Sequence, residues 1–125
     1  VEVRGRADDV IVSGGLSVAP GPVRRAVRSY DGISDAWIMA TPDAKWGHVV
    51  KALVIPQQMP SDAVEMAELG SSVREHAAAR IGRAQAPRRV VAIDSLPYLG
   101  YDKIDRAAAA DAATRAVGTE REWVR

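Results

Sequence analysis

The residue in this sequence that most suggests chemistry is a lysine in its last quarter. Lys103 lies in a loop rich in turn-forming residues, between Asp102 and Asp105 and just before a predicted helix. A charged side chain in such a loop is a candidate catalytic group. An isolated lysine beside two acids is, however, nearly always a solvated surface charge. The residue types alone leave both roles open for Lys103.

The two histidines and one glycine pair give weaker signals. His48 and His76 are far apart, no HxxxH spacing occurs and cysteine is absent, so we do not expect a metal site. Gly14-Gly15 is too little for a phosphate-binding loop, because neither GxGxxG nor GxxxxGK followed by Ser or Thr is present. A glycine pair between short strands is usually a tight turn. None of these residues forms a self-sufficient active site.

The apolar pattern of the first half predicts two β-hairpins separated by a helix. The first hairpin joins the strands 10–12 and 16–18. The helix begins near Pro20. Its apolar face carries Val23, Ala26, Val27 and Tyr30. The second hairpin pairs the apolar run 36–40 with the β-branched run 49–55.

The second half predicts two more helices and one strand. A helix, in one or two pieces, runs from an N-cap at Ser61-Asp62 to Gly82. Its solvent side carries Arg74, Glu75 and Arg83. A short strand at 90–93 precedes an Ala-rich helix that starts at 107, and we expect the charged stretch 118–125 to be frayed. This order predicts an α+β domain: a small, mostly antiparallel sheet with an N-terminal β-hairpin and about three packed helices.

Length and composition predict one soluble globular domain. The chain has 125 residues, of which 47% are apolar and 26% charged. A net charge of +1 gives no electrostatic footprint for nucleic acid or for an anionic membrane. No apolar run approaches the roughly 20 residues that a transmembrane helix needs, and the absence of cysteine fits a reducing compartment. We therefore expect a cytoplasmic protein with neither a nucleic-acid partner nor a membrane span.

Several short segments change how these residues are interpreted. The stretch 5–15 reads GRADDVIVSGG, and the stretch 34–47 contains SDA, TPD and WG. APR follows at 86–88, LP at 96–97 and KIDR at 103–106. In this order and at this spacing, the segments resemble the motifs of the C-terminal domain of adenylate-forming acyl-CoA synthetases, the AMP-binding superfamily.

The resemblance implies a mobile domain of a larger enzyme. Residues 1–125 would form its C-terminal domain, a lid that swings between two poses. A large N-terminal domain outside these residues would hold most of the ATP contacts, Mg2+ and the acid. The full-length enzyme would use ATP, Mg2+ and CoA to adenylate an acid and then to form its CoA thioester. The partners of this chain would therefore be that N-terminal domain, CoA and the acyl-adenylate, and we expect the 125 residues alone to be inactive.

The resemblance also assigns roles to individual residues. Lys103 matches the lysine that stabilises the charge developing during adenylation. Asp8 matches the hinge between the two poses, and Arg6 matches an arginine near the ribose and phosphates of the nucleotide. The hairpin loop beside the pantetheine tunnel, where missing side chains let a thiol arm pass, matches Ser13, Gly14 and Gly15. The plainer interpretations remain: the glycines only turn the chain, and Arg6 only pairs with Asp8 or Asp9.

Two positions depart from the family pattern, and one stretch suggests a subfamily. Asp102 replaces the usual glycine before the lysine, and His48, to which we assign no role, replaces the acid after Trp-Gly. The stretch 14–23 reads GGLSVAPGPV, which resembles o-succinylbenzoate–CoA ligases of high-GC actinobacteria, enzymes of menaquinone synthesis. The alternatives are another acyl- or aryl-CoA synthetase, a peptide-synthetase adenylation domain, and a non-enzymatic binding module that kept the fold.

Overall fold

The computed structural model describes residues 10–100 and 103–125, and these ranges form two sheets and three helices. In chain order the elements are β1 Ile11–Ser13, β2 Leu16–Val18, α1 Pro20–Arg28, β3 Ile33–Asp43, β4 Gly47–Pro56, α2 Ala63–Ile81, β5 Arg89–Ala92, α3 Arg106–Arg115 and β6 Glu122–Val124. The predicted α+β fold with an N-terminal β-hairpin is confirmed. Arg6, Asp8 and Asp102 lie outside the described residues.

The larger sheet has helices on both faces. Its strand order is β3-β4-β5-β6, with β4 and β5 parallel and the other neighbours antiparallel. One face belongs to the core cluster that contains Val27 of α1 and Val73 of α2. The opposite face belongs to the cluster that contains Ala109 and Ala113 of α3. Because both faces of β4 are buried, its sequence is a nearly continuous apolar run rather than an alternating one.

Helix α2 is a single continuous helix with a strong N-terminal cap. The carboxylate of Asp62 accepts a hydrogen bond from the amide of Glu65 at 2.9 Å. The carboxylate of Glu65 in turn accepts from the amide of Ser61 at 2.8 Å. This reciprocal arrangement satisfies amides that have no partner within the helix. At the other end Gly82 adopts a φ of 95°, which stops the helix where the sequence predicts.

The prediction that Arg74 lies on the solvent side of α2 is wrong. Arg74 is only 3% exposed, and its Nη1 donates to the carbonyl oxygens of Ala86 and Pro87, each at 3.0 Å. Burial lowers the pKa of its guanidinium to about 10. The long side chain satisfies carbonyl groups in the segment between α2 and β5. Helical periodicity does not reveal this contact, because it reports the direction of the Cα–Cβ bond and not the reach of the side chain.

The prediction that residues 118–125 are frayed is also wrong. This segment contains β6, which pairs antiparallel with β5. The Glu122 carboxylate lies 3.3 Å from Nζ of Lys51 and 3.6 Å from Nη1 of Arg89. Only 4% of the Glu122 side chain and 2% of the Lys51 side chain are exposed. A lysine buried in the middle of β4 needs an opposite charge, and the C-terminal strand supplies it.

Replacing Glu122 by glutamine should destabilise the domain strongly. Glu122→Gln leaves Lys51 buried without its counter-charge, and removing one partner of a buried pair costs about 3 kcal/mol. Urea unfolding of the 125-residue chain, followed by circular dichroism, measures the change. The control Glu120→Gln, at an exposed position of the same segment, should change the free energy of unfolding by less than about 0.5 kcal/mol. Equally small changes in the two variants would contradict the buried ion pair.

Candidate functional site

The loop that carries Lys103 is closed at its base by backbone hydrogen bonds. The amide of Asp105 donates to the carbonyl of Pro97 at 2.7 Å, and the amide of Leu99 donates to the carbonyl of Lys103 at 2.6 Å. The neighbouring residue Ile104 is 8% exposed and belongs to the core cluster under α3. Lys103 itself is exposed. A fixed backbone therefore presents a solvent-accessible ammonium just before α3.

Asp105 has a structural role in this loop. Its carboxylate caps α3 by accepting a hydrogen bond from the amide of Ala108 at 3.1 Å. A capping carboxylate at this end of a helix is stabilised by the unpaired amides and by the helix dipole. Of the two acids that flank Lys103 in the sequence, Asp105 is therefore present as a helix cap.

A cluster of three side chains fastens the lysine loop to the sheet. The Tyr98 hydroxyl donates to Oδ2 of Asp35 at 2.5 Å. Nη2 of Arg24 donates to the Tyr98 hydroxyl oxygen at 3.2 Å and to Oδ1 of Asp35 at 3.3 Å. Arg24 is held in turn by its Nε, which donates to the carbonyl of Ala36 at 2.6 Å. We name the cluster of Tyr98, Asp35 and Arg24 the Tyr98 clasp; it joins the lysine loop, β3 and α1.

The ionisation of the clasp favours its hydrogen bonds. Partial burial acts to raise the pKa of the Asp35 carboxyl. Hydrogen bonds from Tyr98 and from the Ala36 amide, with the charges of Arg24 and Arg28, outweigh burial and lower that pKa below its ordinary range. The hydrogen bond to Asp35 is the main cause that raises the pKa of the Tyr98 hydroxyl above its ordinary range. Both shifts favour Asp35 as the ionised acceptor and Tyr98 as the protonated donor of this hydrogen bond.

The glycine pair lies at the tip of the β1–β2 hairpin, where both residues have positive φ. Gly14 has φ 57° and Gly15 has φ 85°, conformations that glycine adopts without steric cost. The Gly14 amide donates to the carbonyl of Trp46 at 3.0 Å, and a Cβ on Gly14 would lie 2.5 Å from the Trp46 ring. Nothing lies within 4 Å of a Cβ placed on Gly15. The tip is therefore closed against Trp46 on one side and open at Gly15.

Trp46 is surrounded by cations, which the sequence motif alone did not indicate. The Arg88 guanidinium carbon lies 4.5 Å from the ring centroid, and Nζ of Lys45 lies 5.3 Å from it. Asp43 shapes the turn by accepting from the amides of Lys45 at 2.8 Å and Trp46 at 3.0 Å, and these bonds lower the pKa of its carboxyl. An aromatic face with two cations suits a ligand that combines a flat ring with phosphate groups. In the sequence, the family motifs WG and APR mark the two segments that carry Trp46 and Arg88, but they do not indicate that these two side chains meet.

The structure holds the lysine loop and the hairpin tip far apart. The Tyr98 clasp is attached to β3 at Asp35, which pairs with Ile55. The hairpin tip contacts the turn after Asp43, which pairs with Gly47 at the other end of the same two strands. At about 3.3 Å per residue, these two anchors are about 26 Å apart along β3. The residues of the two candidate sites therefore do not form one site within this domain.

The other candidate residues do not form a third site. His48 is exposed beside the Trp46 turn. His76 is half-buried: its Nε2 lies 2.8 Å from the Ser29 hydroxyl, and its ring meets the edge of Tyr30. In residues 10–100 and 103–125 we find no group of three or more metal-ligating side chains, and none of the helices there is long and apolar enough to cross a bilayer.

Comparison with known proteins places this geometry in a family. Residues 25–100 match the model of the AMP-binding enzyme C-terminal domain. A medium/long-chain-fatty-acid–CoA ligase of Mycobacterium tuberculosis is 35% identical over 90% of this chain, and a probable 2-succinylbenzoate–CoA ligase of that organism is 34% identical over 85%. The crystal structure of an acyl-CoA synthetase of Brucella canis superposes on 89% of this chain with a TM-score of 0.73 and 28% identity. The chain spans only 21%, 26% and 20% of these three proteins, respectively.

Proposed function

Because the chain belongs to the AMP-binding enzyme C-terminal domain family, we propose that it is the mobile C-terminal domain of a longer AMP-forming acid–CoA ligase. In the first half-reaction a carboxylate oxygen attacks the α-phosphorus of ATP, and pyrophosphate leaves. In the second, the thiol sulfur of CoA attacks the acyl carbon, and AMP leaves as the thioester forms. The N-terminal domain would bind the acid, ATP and Mg2+, and residues 1–125 would supply one part to each half-reaction.

The main observation that supports this proposal is the separation between the lysine loop and the hairpin tip. The anchors of these two segments lie about 26 Å apart along β3, so we do not expect Lys103 and the hairpin tip to serve one reaction centre in a single pose of the domain. A rotation of the domain between the half-reactions lets each end face the centre in turn. Asp8 is our proposed hinge for that rotation, and Arg6 is our proposed contact to the nucleotide.

Lys103 would act in the first half-reaction. Negative charge on the α-phosphate and on the attacking carboxylate must be stabilised as the new bond forms. The exposed ammonium of Lys103, on a loop whose backbone is held at its base, supplies a positive charge without reorganising the protein. This role requires Lys103 to be exposed to water in the isolated domain, because the N-terminal domain would cover the lysine only when the two domains meet.

The hairpin tip would act in the second half-reaction. The open space at Gly15, with Ser13 and Gly14 beside it, would let the pantetheine arm of CoA pass. Trp46, Lys45 and Arg88 lie next to the tip and would bind the adenine and phosphates of CoA. Two apolar side chains of the hairpin are also exposed, Val12 at 54% and Leu16 at 41%. A surface of this kind is typical of a face that is covered in an assembly, here by the N-terminal domain.

We propose o-succinylbenzoate as the acid, on the resemblance of GGLSVAPGPV at 14–23. A medium- or long-chain fatty acid is the second candidate, because a fatty-acid–CoA ligase is as similar to this chain as a 2-succinylbenzoate–CoA ligase. Acid-dependent release of AMP by the full-length enzyme, with ATP, Mg2+ and CoA, distinguishes them. We expect turnover with o-succinylbenzoate to exceed that with dodecanoate at least tenfold. The reverse order would assign the enzyme to fatty acids, and ATP–pyrophosphate exchange by the 125-residue chain alone would contradict the two-domain proposal.

A further inference from the structure

The Tyr98 clasp joins the lysine loop to β3 through side-chain hydrogen bonds. Tyr98 forms an isolated antiparallel bridge with Ile104, the residue that follows Lys103. The hydrogen bond from its hydroxyl to Asp35 crosses from the loop to β3. A displacement of the Tyr98 side chain would therefore move the backbone that carries Lys103.

Apolar packing does not explain the positions of Tyr98 and Leu99 in this loop. Tyr98 is 41% exposed and Leu99 is 63% exposed, whereas the buried residues Leu96 and Ile104 hold only the base. The contacts that hold Tyr98 and Leu99 are polar: the side-chain hydrogen bonds of the clasp and the backbone hydrogen bond from the Leu99 amide to the Lys103 carbonyl. Asp35 is itself well fixed, because its Oδ1 accepts from the amide of Ala36 at 2.8 Å and lies near two arginines.

We propose that Tyr98 is a positioning residue for adenylation, whose hydrogen bond to Asp35 sets the place of the Lys103 ammonium. The inference rests on the proposed role of Lys103. A charged group stabilises a transition state only where it meets the developing charge, and a displacement of about 1 Å can cost a hundredfold in rate. A clasp to a strand of the central sheet would give the loop the rigidity that such placement requires.

The test compares half-reactions in the full-length enzyme. Tyr98→Phe keeps the ring and removes the hydroxyl, so the loop loses its hydrogen bond to Asp35. We expect ATP–pyrophosphate exchange, measured with the better of o-succinylbenzoate and dodecanoate, to fall about tenfold. Thioester formation from the corresponding synthetic acyl-adenylate should be unchanged. Tyr30→Phe is the matched control, because Tyr30 packs against the core cluster of α1 and α2 and takes no part in the clasp. This variant should leave the rates of both half-reactions unchanged.

A double variant separates positioning from general stability. If Tyr98 acts through Lys103, adding Tyr98→Phe to Lys103→Ala should slow exchange no further. A further tenfold loss in the double variant, or equal loss of both half-reactions in Tyr98→Phe, would overturn the positioning role. The positioning role would also be overturned if Lys103→Ala slows ATP–pyrophosphate exchange and Tyr98→Phe leaves the exchange rate normal. If Lys103→Ala itself leaves exchange unchanged, the proposed function of the lysine fails, a result that is distinct from failure of the clasp.

Discussion

Lys103→Ala should slow adenylation by the full-length enzyme by a factor of about 10² to 10³, the scale seen when one donor to a developing negative charge is lost. ATP–pyrophosphate exchange in the presence of the acid measures this step. The expected loss is large because alanine leaves the charge on the α-phosphate without a replacement, whereas the fold loses nothing: the side chain is exposed. The melting temperature should therefore stay the same.

The second half-reaction tests where Lys103 is when CoA reacts. Thioester formation from supplied acyl-adenylate should keep its rate in Lys103→Ala, because in the proposed rotation the opposite end of the domain faces the reaction centre in that step. Arg115→Ala removes another exposed positive charge, at the far end of α3, and should leave both half-reactions unchanged. Equal loss of both half-reactions in Lys103→Ala would contradict the proposed division of labour.

Local patterns predicted most of this fold because most of its elements are defined by local rules. The runs at 36–40 and 49–55 are strands in the structure, and the caps at Asp62 and Gly82 bound α2. The C-terminal strand was missed because its pairing with β5 and its ion pair with Lys51 are long-range. A charged sequence at a chain end is usually solvated, and only the buried Lys51 shows why Glu122 is not.

The same distinction between local patterns and long-range contacts applies to the candidate site. Motif resemblance singled out Lys103, Gly14 and Gly15, and the described structure places all three in exposed turns or loops. The contact between Asp35 and Tyr98 spans 63 positions of the sequence, so no local spacing could indicate it. The arginine at 88 shows the same limit, because it meets Trp46 only once β4 and β5 pair.

Gly15→Trp should block thioester formation and spare adenylation. The indole would fill the open space at the hairpin tip, and we expect the rate of thioester formation from supplied acyl-adenylate to fall at least about a hundredfold. Exchange of pyrophosphate with ATP should stay near normal, because in the proposed adenylation pose the tip lies away from the reaction centre. Gly14 is a poorer test position, since a side chain there collides with Trp46 and disturbs the turn itself.

A tryptophan at a positive φ also strains the backbone, so the expected block needs a control that shares the strain. Gly32 has φ 108° and no atom within 4 Å of a Cβ placed on it, like Gly15. It precedes β3 at the end opposite the Trp46 turn, about 36 Å away along the strand. Gly32→Trp should therefore lower the melting temperature by a similar amount and leave thioester formation intact in the folded enzyme. If Gly32→Trp and Gly15→Trp lose the same activities, backbone strain explains both results, and the glycine pair only turns the chain.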